Sequence, residues 1–173
     1  LFLLLKVKFI TTFRFMNKLS RIKIRSYKKK SGLLIPLNFN KKFPISVKRV
    51  FFIYGKINMY RGDHAHKRCT QIFFPISGKI ELFLEQKKKK KIIISSGKAE
   101  AIVVPKMVWC RLKFLKKNSI VAVICDRKYE FGDYIEKYKI FKKMINNYRP
   151  SFWSIYFLSK IKSVYLQLIF NLF

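Results

Sequence analysis

The feature that most constrains this chain is a series of short β-type runs between residues 33 and 125. The runs are rich in β-branched and aromatic side chains and are separated by turn signals. They comprise residues 46–54, 71–76, 79–84, 91–94, 101–104 and 119–125. Strands spaced this regularly predict an all-β sandwich, barrel or jelly roll. We therefore expect one β domain over residues 32–146.

The segment before this series has a different pattern. Residues 1–15 are apolar but are interrupted by three basic residues, and no small-residue cleavage site follows, so a signal peptide is not indicated. We expect residues 1–31 to be an N-terminal extension, and Met16 is a candidate start that would leave residues 1–15 upstream. No uninterrupted apolar run reaches 18 residues, which argues against a transmembrane helix.

The segment after the series predicts a short helix and a tail. Residues 133–144 have aromatic residues at three- and four-residue spacing and lysines towards the end, and Pro150 breaks the pattern. Residues 147–173 form an aromatic-rich amphipathic tail. We expect this tail to pack on the domain or on a partner chain, and the alternative is a helix on a membrane surface.

The charge of the chain is extreme but does not identify a nucleic-acid partner. Lys and Arg number 39 against 8 acidic residues, a net charge of +31, yet 30 of the 39 are Lys. Lys is accompanied by abundant Ile, Phe, Asn and Tyr, the residues that AT-rich codons encode, whereas nucleic-acid readout favours Arg. We expect no nucleic-acid partner. Three cysteines without metal-ligand spacing indicate reduced thiols in a cytoplasmic protein.

The two histidines of the chain, His64 and His66, are separated by one residue. Residues i and i+2 of a strand share a face, so both imidazoles are expected to project the same way. A neutral imidazole has a pKa near ~6.5 and can take up and return a proton at physiological pH. This pair predicts a site for acid–base chemistry.

The surrounding residues resemble the first motif of the cupin superfamily, in which H-x-H is followed by a polar residue and then a Gly. Gln71 stands where that superfamily carries its metal-binding Glu, and Trp109 stands near the position of the third His. Two imidazoles and a neutral amide are a poor ligand set for a divalent ion. We therefore expect no metal and no cofactor.

Four elements in order resemble a narrower group. They are R-V-F-F-I-Y at 49–54, R-G-D-H-A-H at 61–66, P-K-M-V-W at 105–109 and Y-E-F-G-D-Y-I-E-K-Y at 129–138. Together they are similar to the WxcM-like sugar-nucleotide 3,4-ketoisomerases of the cupin superfamily, which act on dTDP-4-keto-6-deoxyglucose. The similarity covers residues 32–143.

The resemblance implies a cupin jelly roll (a double-stranded β-helix), a homodimer with exchanged N-terminal strands, and a dTDP-linked 4-keto-6-deoxyhexose as substrate. The product would be a 3-keto isomer, formed through an enediolate on the way to sugars of surface glycans. His64 and His66 would be the acid/base pair, with His66 favoured as the base at C3, and Tyr54 would relay or orient a proton. The implied substrate contacts are Arg61, Arg111, Tyr129, Gln71 and Trp109.

Three other functions compete with this one. A 3,5-epimerase would use a His base on the same substrate in a similar jelly roll. A degenerate cupin would bind a nucleotide sugar without turnover. A nucleic-acid or membrane-surface protein is the third alternative, supported by the net charge and the amphipathic tail.

Overall fold

The computed structural model describes residues 18–147. These residues form twelve strands, one 3₁₀ turn (Phe131–Asp133) and one helix, α1 (Tyr138–Asn147). The expectations for residues 1–15 and for the tail beyond Asn147 lie outside the described residues. The strands are β1 (Ser20–Lys23), β2 (Tyr27–Lys29), β3 (Gly32–Leu34), β4 (Arg49–Gly55), β5 (Tyr60–His66), β6 (Gln71–Ser77), β7 (Lys79–Glu85), β8 (Lys89–Ser95), β9 (Glu100–Val104), β10 (Trp109–Phe114), β11 (Ser119–Cys125) and β12 (Tyr134–Ile135).

Ten of these strands form two five-stranded antiparallel sheets, and β2 and β3 form a separate hairpin. The first sheet has the order β1-β9-β6-β11-β4, and the second has the order β12-β5-β10-β7-β8. Most neighbours in the sheets are not consecutive in the chain, as a jelly roll requires. The prediction of an all-β jelly roll with a short C-terminal helix is confirmed.

The main core lies between the two sheets. In β7 the side chains alternate with period two, and Ile80, Leu82 and Leu84 are all buried. The same cluster contains Phe73 and Val123 from the first sheet, so the inner faces of both sheets pack on each other. Strand β10 was not among the predicted runs, although its buried residues also alternate with charged ones.

A second cluster covers the outer face of the first sheet, and it corrects the boundary expected at residue 31. We expected residues 1–31 to be an extension, but β1 pairs with β9 at the edge of the first sheet. Ile22 and Ile24 pack against the buried outer side chains of that sheet. They alternate with basic residues, and this spacing suits a half-buried strand. The N-terminal strand is therefore part of the β domain.

The helix begins five residues later than expected. We predicted it from Asp133, but Asp133 ends the 3₁₀ turn, and Tyr134 and Ile135 pair with β5 as β12. The Asp133 carboxylate accepts hydrogen bonds from backbone N–H groups of another loop, and β12 then continues the second sheet. Helix α1 begins only after that pairing ends, and it buries Phe141 and Ile145 against the outside of the sheet.

The lysine run at residues 87–91 lies in the β7–β8 hairpin. Its last three residues are exposed on β8, an edge strand of the second sheet. Charged side chains on an edge strand oppose pairing with another sheet, so solubility explains this run without a binding function. Within residues 18–147, no helix has the length and apolar character needed to span a bilayer.

Candidate active site

A cavity of about 320 Å³ lies between the two sheets and takes its walls from both of them. Its size is at the lower end of the range for small-molecule sites, and its walls are mainly apolar with a few polar groups, as such sites usually are. Among the described lining residues, Arg61 is the only one with a charged side chain at neutral pH. The lining residues are Phe51, Ile53, Arg61, Gly62, His64, Gln71, Phe73, Cys110, Leu112, Val123 and Tyr134.

A β-bulge in β5 sets the direction of the H-x-H segment. The register with β10 shifts here, because Cys110 pairs with His64 whereas the next residue pairs with Gly62. Gly62 has φ +94° and Asp63 has φ +61°, and a Cβ on Gly62 would lie 2.7 Å from the Cys110 carbonyl oxygen. A bulge beside a functional site redirects the side chains that follow it. The glycine is thus a structural requirement for the placement of His64.

His64 presents a neutral imidazole to the cavity. Burial lowers the pKa of this side chain below its ordinary value, and a hydrogen bond with the Gly62 backbone and the carboxylates of Glu136 and Asp63 oppose the shift only in part. An imidazole that is unprotonated at neutral pH can accept a proton from a bound substrate.

His66 lies behind His64 and does not line the cavity. Its Nδ1 lies 2.9 Å from Oδ2 of Asp133, and both side chains are almost completely buried. Asp133 also accepts hydrogen bonds from the backbone N–H groups of Arg68 at 2.8 Å and Cys69 at 3.2 Å. Burial and the proximity of His64 lower the pKa of His66, so its ring is neutral. Because the Asp133 carboxylate accepts a hydrogen bond from Nδ1 of His66, the ring proton stays on Nδ1 and Nε2 is the basic nitrogen.

The two imidazoles share one face of β5, as predicted. Their ring centroids are 5.0 Å apart in an edge-to-face arrangement. Tyr134 from β12 packs against both, with centroids 4.9 Å from His64 and 4.4 Å from His66. The Nε2 atom of His66 is buried without a hydrogen-bond partner within the described residues.

Of the five predicted substrate contacts, two line the cavity and three do not. Arg61 and Gln71 line the cavity. Arg111 forms an ion pair with Asp63 at the bulge and stacks over Tyr60 instead. The other two do not line the cavity, because Tyr129 stacks beside Tyr134 on the exposed side and Trp109 packs against helix α1.

The structure places Tyr54 away from the site. On β4, Arg49, Phe51 and Ile53 point inward, whereas Val50, Phe52 and Tyr54 are on the outer face. Tyr54 is 74% exposed and does not line the cavity. Because strand side chains alternate, Tyr54 does not face the cavity of its own chain, and its catalytic role stays a prediction.

Sequence reasoning missed three residues of the site, which are Asp133, Tyr134 and Arg49. Arg49 stacks on Phe51 with its guanidinium carbon 5.2 Å from the ring centroid, and its proximity opposes the rise that burial causes in the pKa of Tyr134. Asp133 and Tyr134 belong to the quoted D-Y-I element, so the signal was present. Their roles depend on the pairing of β12 with β5, which no local pattern reveals.

One group of described side chains has the composition of a metal site. The candidate ligand atoms of His66, Cys69 and Asp133 lie within 4.8 Å of one another, and all three residues are buried. The carboxylate of Asp133 is already taken up by two backbone N–H groups and the His66 ring. This arrangement is a satisfied hydrogen-bond cluster, and the absence of a metal in the reaction stays a prediction. Cys69, Cys110 and Cys125 are free thiols.

A jelly roll with an apolar cavity, a neutral imidazole in its wall and a second imidazole held by a buried carboxylate has a cupin-type arrangement with groups suited to acid–base chemistry. Residues 17–146 match the protein family described as FdtA, WxcM-like, C-terminal. The chain belongs to this family, and it is an isomerase of the sugar 3,4-ketoisomerase type.

Named relatives support this membership. The TDP-4-oxo-6-deoxy-alpha-D-glucose-3,4-oxoisomerase of Aneurinibacillus thermoaerophilus is 30% identical over 115 residues, which are 66% of this chain and 83% of that protein. The crystal structure of a 3,4-ketoisomerase from Helicobacter canadensis has a TM-score of 0.70 at 26% identity, covering 76% and 99% of the two chains. The TDP-fucose-3,4-ketoisomerase of Campylobacter jejuni has a TM-score of 0.68 at 29% identity, covering 75% and 97%.

Proposed function

We propose that this enzyme converts TDP-4-keto-6-deoxyglucose into a TDP-linked 3-keto-6-deoxyhexose. The observation that carries the proposal is the neutral His64 imidazole in the wall of a cavity that has no carboxylate among its described lining residues. The A. thermoaerophilus relative, which is named for this substrate and reaction, supports the choice of sugar.

We assign the base to His64 rather than to His66, which the sequence favoured. His64 borders the cavity, whereas His66 lies behind it with Nδ1 bound to Asp133. His64 would remove the C3 hydrogen as a proton, the C3–H electrons would form the C3–C4 double bond, and the C4 carbonyl electrons would move onto the C4 oxygen. The imidazolium proton would exchange with solvent, and the same imidazole would then protonate C4. His66 and Asp133 would hold His64 from behind.

The cavity suits the hexose better than the whole nucleotide sugar. A volume of about 320 Å³ accommodates a sugar ring, and the nucleotide would then extend out of the cavity. Arg61 is exposed at the cavity wall, where a guanidinium can bind the diphosphate with two parallel hydrogen bonds. Gln71 is buried and donates to the Cys125 sulfur at 3.7 Å, so we assign it to the wall.

Incubation with TDP-4-keto-6-deoxyglucose in deuterated water, followed by NMR of the sugar ring, tests this function. We expect a 3-keto product with deuterium at C4 and none at C5. Deuterium at C5 would indicate a 3,5-epimerase instead. Binding of the substrate without any change in its spectrum would indicate a degenerate cupin and would contradict the proposed activity.

The activity should be insensitive to pH around neutrality and fall only in acid. His64 must be unprotonated to act as the base, and burial holds its pKa below about 6.5. The acid limb of a kcat/KM profile should therefore have its midpoint below pH 6.5, and a midpoint above 7 would contradict the assignment. The groups that face His64 are Arg61, Asp63, His66, Tyr134 and Glu136.

We also propose that the enzyme is a homodimer that buries the outer face of β4. Val50, Phe52 and Tyr54 form an exposed apolar row on this strand, which is an edge of the first sheet. An edge strand with an exposed apolar row is a site for association, and a second copy satisfies it symmetrically. This use of Tyr54 replaces the catalytic role that the sequence suggested.

Substitution of Phe52 by Lys should convert the dimer to a monomer, because it places a charge in the centre of the row. Size-exclusion chromatography with light scattering measures the mass. Ile93→Lys is the matched control, since Ile93 is 44% exposed on the edge strand β8 and should leave the dimer intact. A monomeric wild-type protein or a dimeric Phe52→Lys variant would exclude this interface.

The proposed substrate indicates the cellular compartment of the enzyme. Nucleotide sugars are made and used in the cytoplasm, so we propose a cytoplasmic enzyme. Its product would enter the synthesis of amino or deoxy sugars for surface glycans such as an O-antigen.

A further inference from the structure

The proposed isomerisation needs two proton transfers of different kinds, and the imidazole of His64 accounts for one. A hydrogen must move from C3 to C4, between carbons. A second hydrogen must move from the C3 hydroxyl to the C4 oxygen, because the carbonyl and the hydroxyl exchange places. The following inference rests on the proposed function and concerns the second transfer.

Tyr134 is a neighbour of the proposed base in the wall of the cavity that we assign to the sugar. It lines the cavity, and its ring packs 4.9 Å from the ring of His64. Strand β12 holds it by pairing Tyr134 with His66 on β5, so its position is fixed by the second sheet. Among the described lining residues, Tyr134 is the only one with a hydroxyl group.

The environment keeps this phenol protonated but polarised. Burial raises the pKa of Tyr134, and the nearby Arg49 guanidinium opposes that shift without reversing it. Arg49 is itself held, because it stacks over the rings of Phe51 at 5.2 Å and Tyr129 at 5.4 Å. A neutral hydroxyl can donate one hydrogen bond while it accepts another.

The other polar groups of the cavity are less suited to this transfer. The Arg61 guanidinium and the Gln71 amide do not give up a proton at neutral pH. The Cys110 thiol is a weak donor and a weak acceptor, and burial raises its pKa to about 12. His66 is outside the cavity lining, with Nδ1 bound to Asp133.

We propose that the Tyr134 hydroxyl is a catalytic residue that passes the proton from the C3 oxygen to the C4 oxygen. After His64 takes the C3 hydrogen as a proton, the enolate carries its charge on the C4 oxygen. That oxygen takes the phenolic proton of Tyr134, and the phenol oxygen takes the proton of the C3 hydroxyl. When His64 protonates C4, the C3 carbonyl forms and Tyr134 has its original proton count. No oxidant or other reactant is needed.

Substitution of Tyr134 by Phe separates the two transfers. In deuterated water, NMR measures formation of the 3-keto product and uptake of deuterium at C3 of the remaining substrate. Loss of the hydroxyl should slow product formation by about 10²–10⁴-fold, the usual effect of one positioned proton transfer. Uptake of deuterium at C3 should stay within about fivefold of wild type, because His64 still forms and reprotonates the enolate.

Tyr60→Phe is the matched control, because it removes a hydroxyl on β5 outside the cavity lining and should leave both rates unchanged. A parallel fall of both rates in Tyr134→Phe would overturn the relay, and so would product formation within fivefold of wild type. A wild-type enzyme with neither reaction would reject the proposed function itself, and the relay with it. Thermal unfolding of both variants checks that each is folded.

Discussion

The His64→Asn variant is expected to lose about 10²–10⁴-fold in kcat for the 3,4-isomerisation while it remains folded. The amide of Asn is close in size to imidazole and can hydrogen-bond, but it cannot take a proton from carbon at neutral pH. NMR of the sugar ring measures the rate, and deuterium uptake at C3 should fall with it because no enolate forms. This joint loss distinguishes His64 from Tyr134.

The same substitution at His66 is the informative comparison. His66 lies behind His64 and is bound to Asp133, so His66→Asn should reduce the rate of isomerisation less than His64→Asn does. Thermal unfolding of each variant separates a loss of chemistry from a loss of structure. If His66→Asn abolished deuterium uptake at C3 while His64→Asn retained a tenth of it, the assignment of the base to His64 would be wrong.

Substitution of Asp133 by Ala is expected to lower the free energy of unfolding by about 3–5 kcal/mol, because three hydrogen-bond donors lose their acceptor and each donor left buried costs about 1–3 kcal/mol. Asp133 is 3% exposed and accepts from His66, from the Arg68 N–H and from the Cys69 N–H. The His66 ring and the Cys69 N–H would be left buried without an acceptor, and the partly buried Arg68 N–H would also lose its acceptor. At 2–4 °C for each kcal/mol, the melting temperature should fall by about 6–20 °C. Thermal and urea unfolding measure both quantities.

Glu130→Ala is the control for that experiment. Glu130 lies in the same loop and pairs with Arg68, but its side chain is 37% exposed. Exposed ion pairs contribute about 0–1 kcal/mol, so this variant should unfold near the wild-type temperature. Equal destabilisation by the two substitutions would show that the buried hydrogen bonds of Asp133 are not what stabilises the loop.

The sequence was sufficient for the parts of the fold that depend on local patterns. In β7, the alternation of apolar and polar residues indicates that Ile80, Leu82 and Leu84 are on the buried face. The H-x-H spacing likewise predicts that His64 and His66 share a face of β5, and the structure places their rings 5.0 Å apart. Such patterns are local because strand side chains alternate whatever the strand pairs with. The number and spacing of these strands predicted a sandwich, barrel or jelly roll, and the resemblance to the cupin family selected the jelly roll.

The sequence was insufficient where long-range pairing decides. Asp133 resembles the start of a helix in its local context, but its carboxylate serves backbone groups near residue 68, and β12 then joins β5. Tyr54 resembled a site residue because of the motif around it, yet the strand turns it outward. Which of the two imidazoles borders the cavity likewise depends on the bulge and on Asp133, which are contacts between distant segments.

The bulge in β5 also changes which residues of the R-G-D-H element share a face of the strand. Arg61 and His64 border the same cavity although they are three residues apart, an odd interval that would put them on opposite sides of a regular strand. The bulge adds one residue to β5 without a partner on β10, so Arg61 and His64 are on the same face. A relative with one residue fewer at this point can keep the same pair on one side. A single-residue insertion between the bulge and His64 would instead turn both imidazoles to the opposite face of β5, where Ala65 packs under helix α1.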